Sequence, residues 1–537
     1  MCATKSNDSR LWSDTFDLPN PGLRAYFSHV ETGNSDEYRT PFYKKKSLEE
    51  ILSGWDHTLK SIQHEWPTLY EFEKDLANKV GPMSIMKPLK ERMGDIDSYY
   101  DLISLDQVPI SDTALQRWKK EWSSLRGLRL RSVDHTVKVM KKSTNSGSPY
   151  FSKRRVVTDK TVPFSLSSPE LEVTQILPTG EWNAAAVLGW RGQEGGPEID
   201  DVKQRVVWMF PYAVNIDELR VYQPLIEGCQ RLGLVPAWIS MDAVDQRITR
   251  LFDTKNPSDL VICTDFSKFD QHFNASLQDA ANLGLSYLFS NNEESVRWLN
   301  TVFPIKYKIP LAYAWEKIRF GLHGMGSGSG GTNADETIVH RMLQHEAAAA
   351  HGAELNPNSQ CLGDDGILCY PRCSVKDVVS SYCSHGLEMN LDKQYASKHD
   401  CTYLRRWHHT KYRVDGVCVG VYSTMRALGR LAEQERYYDP ETWGAKMVAL
   451  RELSIIENTK WHPLREKFAD YCMKGDKYRL GLDIPGFLDD IERIAKKATD
   501  YMPDFLGYTK SLQYEVGDKS ETGIASWWIV NYLKSKR

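Results

Sequence analysis

The chain has 537 residues, of which 41% are hydrophobic, and 16 tryptophans; it is long enough for about three to four folding units, or one large multi-lobed enzyme. A formal net charge of −3 gives no global signal for a polyanion partner, and no run of about 18 apolar residues exists, so no helical membrane span is expected. The 10 cysteines are scattered behind an N-terminus, Met1–Asp8, without an apolar leader, so reduced thiols in an intracellular setting are expected.

Residues 1–75 mix turn signals with short helical pieces. The stretch 76–140 reads as mostly helical, with Trp118, Trp122 and Leu125 on one face. Charge is unevenly distributed: from Lys119 to Arg155 there are 11 Lys and Arg against Glu121 and Asp134, and local basic density is what binds phosphates. Lys141–Tyr150 is rich in Ser, Gly and Pro, hence a loop. Its small residues, among them Thr144, Ser146 and Gly147, would let backbone N–H groups approach phosphates; an ordinary surface loop is the alternative. The glycines between 180 and 202 read as a flexible connection. After it, Lys203 and Arg205 alternate with Val202, Val206 and Trp208, which aims both cations to one side of a strand.

Leu260–Thr264 reads as a short buried strand with Asp265 at its end. The next residues turn the chain and bring Asp270 back over the same edge, and a helix follows with Leu277, Ala281, Leu285 and Leu288 inward. Gly324–Asn333 contains a formal G-x-G-x-x-G, but the polar Trp315–Phe320 before it is no buried parallel strand, which argues against a dinucleotide site. The segment instead opens a helix at about Thr332, with Ile338, Met342 and Leu343 inward. Ser327 and Thr332 are hydroxyls suited to a sugar or phosphate.

Ser359–Tyr370 reads as two short strands joined at a turn carrying Asp364 and Asp365, with Asp365-Gly366 as a tight hairpin signal. Two adjacent carboxylates repel unless a cation or a proton neutralises them. Beyond a helix near 374–385, a turn carries Lys393, and Cys401–His408 is a strand-like run whose adjacent Arg405 and Arg406 are candidate contacts for a phosphate backbone. Cys383, His385, His399, Cys401, His408 and His409 invite a zinc reading, though their order fits no standard finger spacing. Past 420 the chain reads as helical: Asp439-Pro440 as N-cap and N1, an amphipathic stretch over 487–499, and an apolar segment, Ala525–Leu533, expected to fold toward a catalytic cavity.

Asp265, Asp364 and Asp365 on separate strands of one sheet would form an acid cluster suited to Mg²⁺, which keeps waters and takes substrate phosphates. Two ions about 4 Å apart would serve an in-line phosphoryl displacement, and Asp270, with Ser327 and Thr332, could bond a 2′-hydroxyl. In the order of these segments the chain resembles a viral RNA-dependent RNA polymerase over about 140–410. It most resembles the picobirnavirus enzymes, with partitivirus enzymes next.

That resemblance implies an α+β closed right hand: an N-terminal extension over 1–75, fingers over 76–250 with an insertion at 276–309, palm over 251–275 and 310–415, and thumb over 416–537. It implies Asp265 and Asp364 as metal-binding acids, Asp365 as the accessory acid, Asp270 and Ser327 as the ribose-selecting pair, Lys393 as general acid, and Lys203 and Arg205 as triphosphate cations. Four residues beyond Thr332 many relatives carry Asn or Asp, whereas this chain has Glu336. The third sugar-sensing residue is therefore open, with Asn333 another candidate. Two Mg²⁺ ions, with Mn²⁺ as alternative, template and product RNA, NTPs and a capsid protein are the implied cofactors and partners, in a virion interior and host cytoplasm, with primer-free initiation. A reverse transcriptase, which usually carries a bulky aromatic where Asp270 stands, and an inactive RNA-binding scaffold are the competing readings.

Overall fold

Every residue of the run Val261–Thr264 is buried, as expected of a strand covered on both faces, where apolar residues run continuously rather than alternate. This strand is the middle of the sheet that matters most here. The computed structural model describes residues 15–16, 21–104, 107–499, 501 and 523–537; the opening residues of the expected N-terminal extension, with Met1–Asp8, and the stretch 502–522 lie outside them. The fold is α+β, in two units. One comprises Met1–Thr32, Pro88–Trp190 and Val206–Cys401, the other Gly33–Lys87, Arg191–Arg205 and Thr402–Arg537.

The first unit contains helices α1 (Asp112–Trp122), α2 (Arg154–Thr161), α3 (Tyr212–Leu232), α4 (Ala275–Leu288), α5 (Thr332–Ala349) and α6 (Val375–Ser384). Its strands include the end of β1 (Lys203–Met209), then β2 (Val261–Thr264), β3 (Gln360–Leu362), β4 (Asp365–Leu368) and β5 (Tyr395–Ser397). The last four form an antiparallel sheet in the order β3-β4-β2-β5. Helix α5 is buried on every side, from Ala334 to Ala348 except Glu346. It tolerates this because its polar residues are bonded: Gln344 Nε2 donates to the carbonyls of Gln360 and Ile367 at 2.9 and 3.2 Å, and Arg341 grips Glu121 of α1 through Nε and Nη2 at 2.7 and 2.9 Å. As the spacing predicts, Trp118 and Trp122 are buried on one face of α1, stacked 5.1 Å apart. The inward residues read for α4 and α5 are buried as well.

The second unit has its own core, in which Trp55, Leu59 and Leu69 pack with Leu428, Leu450, Phe468, Ile491 and Leu533. Buried Glu73 caps the helix Thr424–Ala432, accepting from the Thr424 and Met425 amides at 2.7 and 3.0 Å, the place where a helix favours negative charge.

Four readings are corrected. The hairpin turn is Gly363-Asp364, since Leu362 pairs with Asp365; Gly363 takes the left-handed conformation at φ 57°, and Gly366 lies inside β4. The glycine-rich stretch 180–202 is largely strand, over Gly180–Asn183 and Ala186–Gln193, and Gly192 is there because a Cβ would fall 2.0 Å from the Met83 carbonyl. Asp439 does not cap a helix directly: it closes a turn, and the helix begins at Ala445. The C-terminal apolar residues Ile529, Val530 and Leu533 are spent in the core of the second unit, where Glu457 caps their helix at the Trp528 and Ile529 amides.

Candidate active site

The register of the sheet builds the site. Thr264 of β2 pairs with Gly366 of β4, so one step further along Asp265 faces Asp365, with Asp364 at the turn beside it. Directly opposed residues in an antiparallel pair have Cα atoms about 4.5–5.5 Å apart. Asp265 and Asp364 are exposed and Asp365 half-buried, so three carboxylates from two strands crowd one accessible sheet edge. Gln394 fixes the end of β2: its Oε1 accepts from the Asp265 amide at 2.7 Å and its Nε2 donates to the Asp265 carbonyl at 2.9 Å. No periodicity marks Gln394 in the sequence, because its role is a long-range bond.

Among the described residues no three acids, imidazoles or thiols gather at ligand distance around one point. The donor set nevertheless fits a hard divalent cation, being all carboxylate oxygen, open to water and on facing backbone positions. The zinc reading finds no support among the described residues, where no three of its cysteines and histidines gather around one point.

Beside the acids lies the loop that precedes α5. The Met325 amide donates to the Asp270 carbonyl at 2.9 Å and that of Gly324 to Tyr99 at 2.9 Å. Ser327 Oγ donates to the Val206 carbonyl at 3.0 Å, and Thr332 Oγ1 to that of Gly326 at 3.3 Å. The phenol of Tyr99, which the sequence did not single out, adjoins the Ser327 hydroxyl and faces the charge of Asp270.

Glu336 is only 5% exposed and hydrogen-bonds Asp270. Its carboxyl is pushed well above the usual range, first by burial and then by the charges of Asp270, Asp364 and Asp335. A protonated Glu336 can donate a hydrogen bond, which a carboxylate cannot. Asn333 is placed differently: its Oδ1 accepts from the Trp238 indole at 2.8 Å. Glu336 and Asn333 both border Gly363, each 3.6 Å from where a Cβ there would stand. Of the two candidates left open, Glu336 adjoins Asp270.

Other expected contacts divide. Lys393 is exposed in a single turn, Leu391–Lys393. Lys203 and Arg205 are exposed on one face of β1, opposite buried Val202, Val206 and Trp208. Arg405 is exposed at the tip of the hairpin joining Asp400–Tyr403 to Arg406–His409, close enough to Arg205 for their charges to repel. Arg406 is a correction: it is 8% exposed and its guanidinium bonds the Gly420 carbonyl, so it serves the hairpin. Ser146 and Gly147 are also corrected. Both are buried, the Ser146 amide donates to Ser152 and that of Gly147 to Asn145 Oδ1, and a Cβ on Gly147 would fall 2.4 Å from the Phe210 carbonyl. Their smallness serves internal packing, and of the three small residues named in this loop only Thr144 is exposed.

A four-stranded antiparallel sheet with acids at the end of one strand and at the turn of the neighbouring hairpin, bordered by a glycine-rich loop and a buried helix, is the palm of a nucleotidyl-transferring polymerase. Residues 118–416 match the family model described as viral RNA-dependent RNA polymerase, and the chain belongs to that family. It is 66% identical over 530 residues, 98% of this chain and 99% of the other, to the "Potential RNA-dependent RNA polymerase" of human picobirnavirus (strain Human/Thailand/Hy005102/-). It is also similar to the crystal structure of the RNA-dependent RNA polymerase of a human picobirnavirus, with a TM-score of 0.94 and 64% identity over 99% of this chain and all of that one. An insertion-loop deletion mutant of such an enzyme matches at a TM-score of 0.93 and 63% identity, over 99% of this chain and all of that one. This membership overrides the reverse-transcriptase and scaffold readings.

Proposed function

We propose that this viral RNA-dependent RNA polymerase joins NTPs on an RNA template by two-metal nucleotidyl transfer at Asp265, Asp364 and Asp365. The observation that carries the reading is the β2–β4 register, which sets Asp265 across from Asp365 and next to Asp364. Two Mg²⁺ ions, or Mn²⁺, bound by these acids would supply the Lewis acidity that activates the attacking 3′-hydroxyl and steadies the leaving pyrophosphate. Asp265 and Asp364 hold the ions, and Asp365 adds negative charge beside them. Asp270, Ser327, Thr332 and Glu336 read the ribose, with Asn333 backing the Gly363 turn. Lys393 delivers a proton to the departing pyrophosphate, and Lys203 and Arg205 neutralise the triphosphate. Thr144 and Arg405 contact RNA.

Initiation without a primer, replication and transcription of a viral genome, a capsid protein as partner, and work inside the virion and the host cytoplasm belong to the same reading. No helix among the described residues is long and apolar enough to cross a membrane.

The test is RNA synthesis by purified protein from a primer-free RNA template with NTPs and Mg²⁺. Asp364→Asn should abolish product while RNA binding, measured by fluorescence anisotropy, stays within about twofold, since the surface that grips phosphates is untouched. Normal incorporation by that variant would refute the assignment.

A further inference from the structure

Helix α3 carries two buried polar residues one turn apart, Asn215 at 4% exposure and Glu218 at 0%. Neither touches the acids of the catalytic edge, and their partners explain why they are there. Glu218 accepts from the Ser329 hydroxyl and from the Gly330 amide, the latter at 3.1 Å. Both donors lie in the loop that carries Ser327. Asn215 Nδ2 donates to Glu218 Oε1 at 3.0 Å and to the Gly328 carbonyl at 3.3 Å in the same loop.

On its other side, Asn215 Oδ1 accepts from Arg154 Nη2 at 2.6 Å. Arg154, the first residue of α2, in turn holds the 141–150 loop: its Nη1 donates to the Lys141 carbonyl at 3.2 Å and its amide to that of Thr144 at 3.0 Å. An amide side chain can accept from a guanidinium while donating to a carboxylate, which accounts for asparagine at the middle position. A carboxylate as buried as Glu218 is stable only when its lone pairs are satisfied, and here loop and helix satisfy them together.

We propose that Arg154, Asn215 and Glu218 are positioning residues, a bonded bridge that sets the sugar-reading loop 326–331 by the conformation of the template-side loop 141–150. The bridge rests on the reading above, in which Ser327 senses the ribose and the 141–150 loop meets template. Its consequence is that ribonucleotide selectivity depends on residues that touch no substrate.

The experiment measures kcat/KM for NTP and for the matching 2′-dNTP on one RNA template, taking their ratio for wild type, Arg154→Ala, Arg154→Lys, Glu218→Gln, the double variant Arg154→Ala/Glu218→Gln, and Ser327→Ala. Arg154→Ala and Glu218→Gln should each lower the ratio about five- to tenfold, as expected for members of one hydrogen-bonded network, and the double variant should fall no further than the worse single. Arg154→Lys, which keeps one donor for Asn215, should recover most of the loss. A general loss of stability would lower both rates together and leave the ratio fixed.

Ratios unchanged in the bridge variants while Ser327→Ala lowers its own, or additive losses in the double variant, overturn the bridge alone. A ratio unchanged in Ser327→Ala overturns the sugar-sensing reading and the bridge with it. Should Glu218→Gln fail to fold, Arg154→Ala decides: half-buried, it is expected to fold, and an unchanged ratio in it refutes the proposal.

Discussion

Replacing Lys306 with methionine would show how strongly the start of α5 is held. Lys306 Nζ lies 2.9 Å from Asp335 Oδ2, both side chains are fully buried, and Nζ also donates to the Phe303 carbonyl at 2.8 Å. The Tyr222 and Tyr307 hydroxyls donate to the two oxygens of Asp335, each at 2.7 Å. The Lys306 carbonyl meanwhile accepts from the Gly326 amide at 3.0 Å. Methionine fills nearly the same volume, so the loss is mainly electrostatic: breaking a buried pair while leaving the other charge in place costs about 3–5 kcal/mol. The same ammonium also stabilises the ionised form of Glu218, so its removal leaves two buried carboxylates, and at neutral pH one of them must bind a proton or remain uncompensated. Burial already holds the Glu218 carboxyl above its usual range and the Lys306 charge opposes this, so losing the ammonium raises it further, and the penalty is full at neutral pH and shrinks as pH falls toward the unfolded carboxyl range. Urea unfolding followed by tryptophan fluorescence should show a deficit of about 3–5 kcal/mol at pH 7.5 and a smaller one at pH 5. A deficit below about 1 kcal/mol, or one equal at both pH values, would refute the argument.

Gly328→Ala would put a Cβ 1.7 Å from the Trp208 carbonyl at a φ of 142°; the loop before α5 must then move, with an expected loss of about 1–3 kcal/mol and, under the role proposed for Ser327, a lower NTP-to-dNTP selectivity, read by unfolding and single-nucleotide incorporation. Gln394→Leu removes both bonds to the Asp265 backbone; kcat should fall about tenfold for a shift costing one hydrogen bond's worth of positioning, and an unaltered kcat would show that β2 holds its end unaided. His340 is buried, its Nδ1 bonded to the Gly363 carbonyl at 2.8 Å, and its pKa is pushed down to about 4, by burial first. Because the unfolded imidazole takes up a proton near pH 6.5 and the folded one does not, stability is lost on acidification through that window, about 2 kcal/mol between pH 7 and pH 5; paired unfolding curves for wild type and His340→Gln should show the variant losing that much less.

Residues whose role depends on local chain chemistry were legible. The apolar run before Asp265, the alternation around Lys203 and Arg205, the helical faces of α1, α4 and α5, and the order of the segments carrying the acids all follow from periodicity and turn chemistry. Even the errors were local: Asp365-Gly366 looks like a hairpin tip, but the chain turns one step earlier, since Gly363 takes the left-handed conformation and Gly366 is needed where a Cβ would strike the His340 ring at 2.7 Å. The small residues of the 141–150 loop looked like room for phosphate and proved to be room for the chain itself.

What the sequence determined by itself is the family and the order of the segments that carry the acids, because apolar runs, turn residues and charge spacing are local chain chemistry. What tertiary structure decided is which groups keep them in place. Gln394, Tyr99, Glu218, Lys306 and Asp335 act through partners far away in the chain, and nothing in their neighbourhoods marks them. Glu336 is the plainest case: in the sequence it is an acid out of pattern, and only its burial beside Asp270 shows why its carboxyl is held above the usual range.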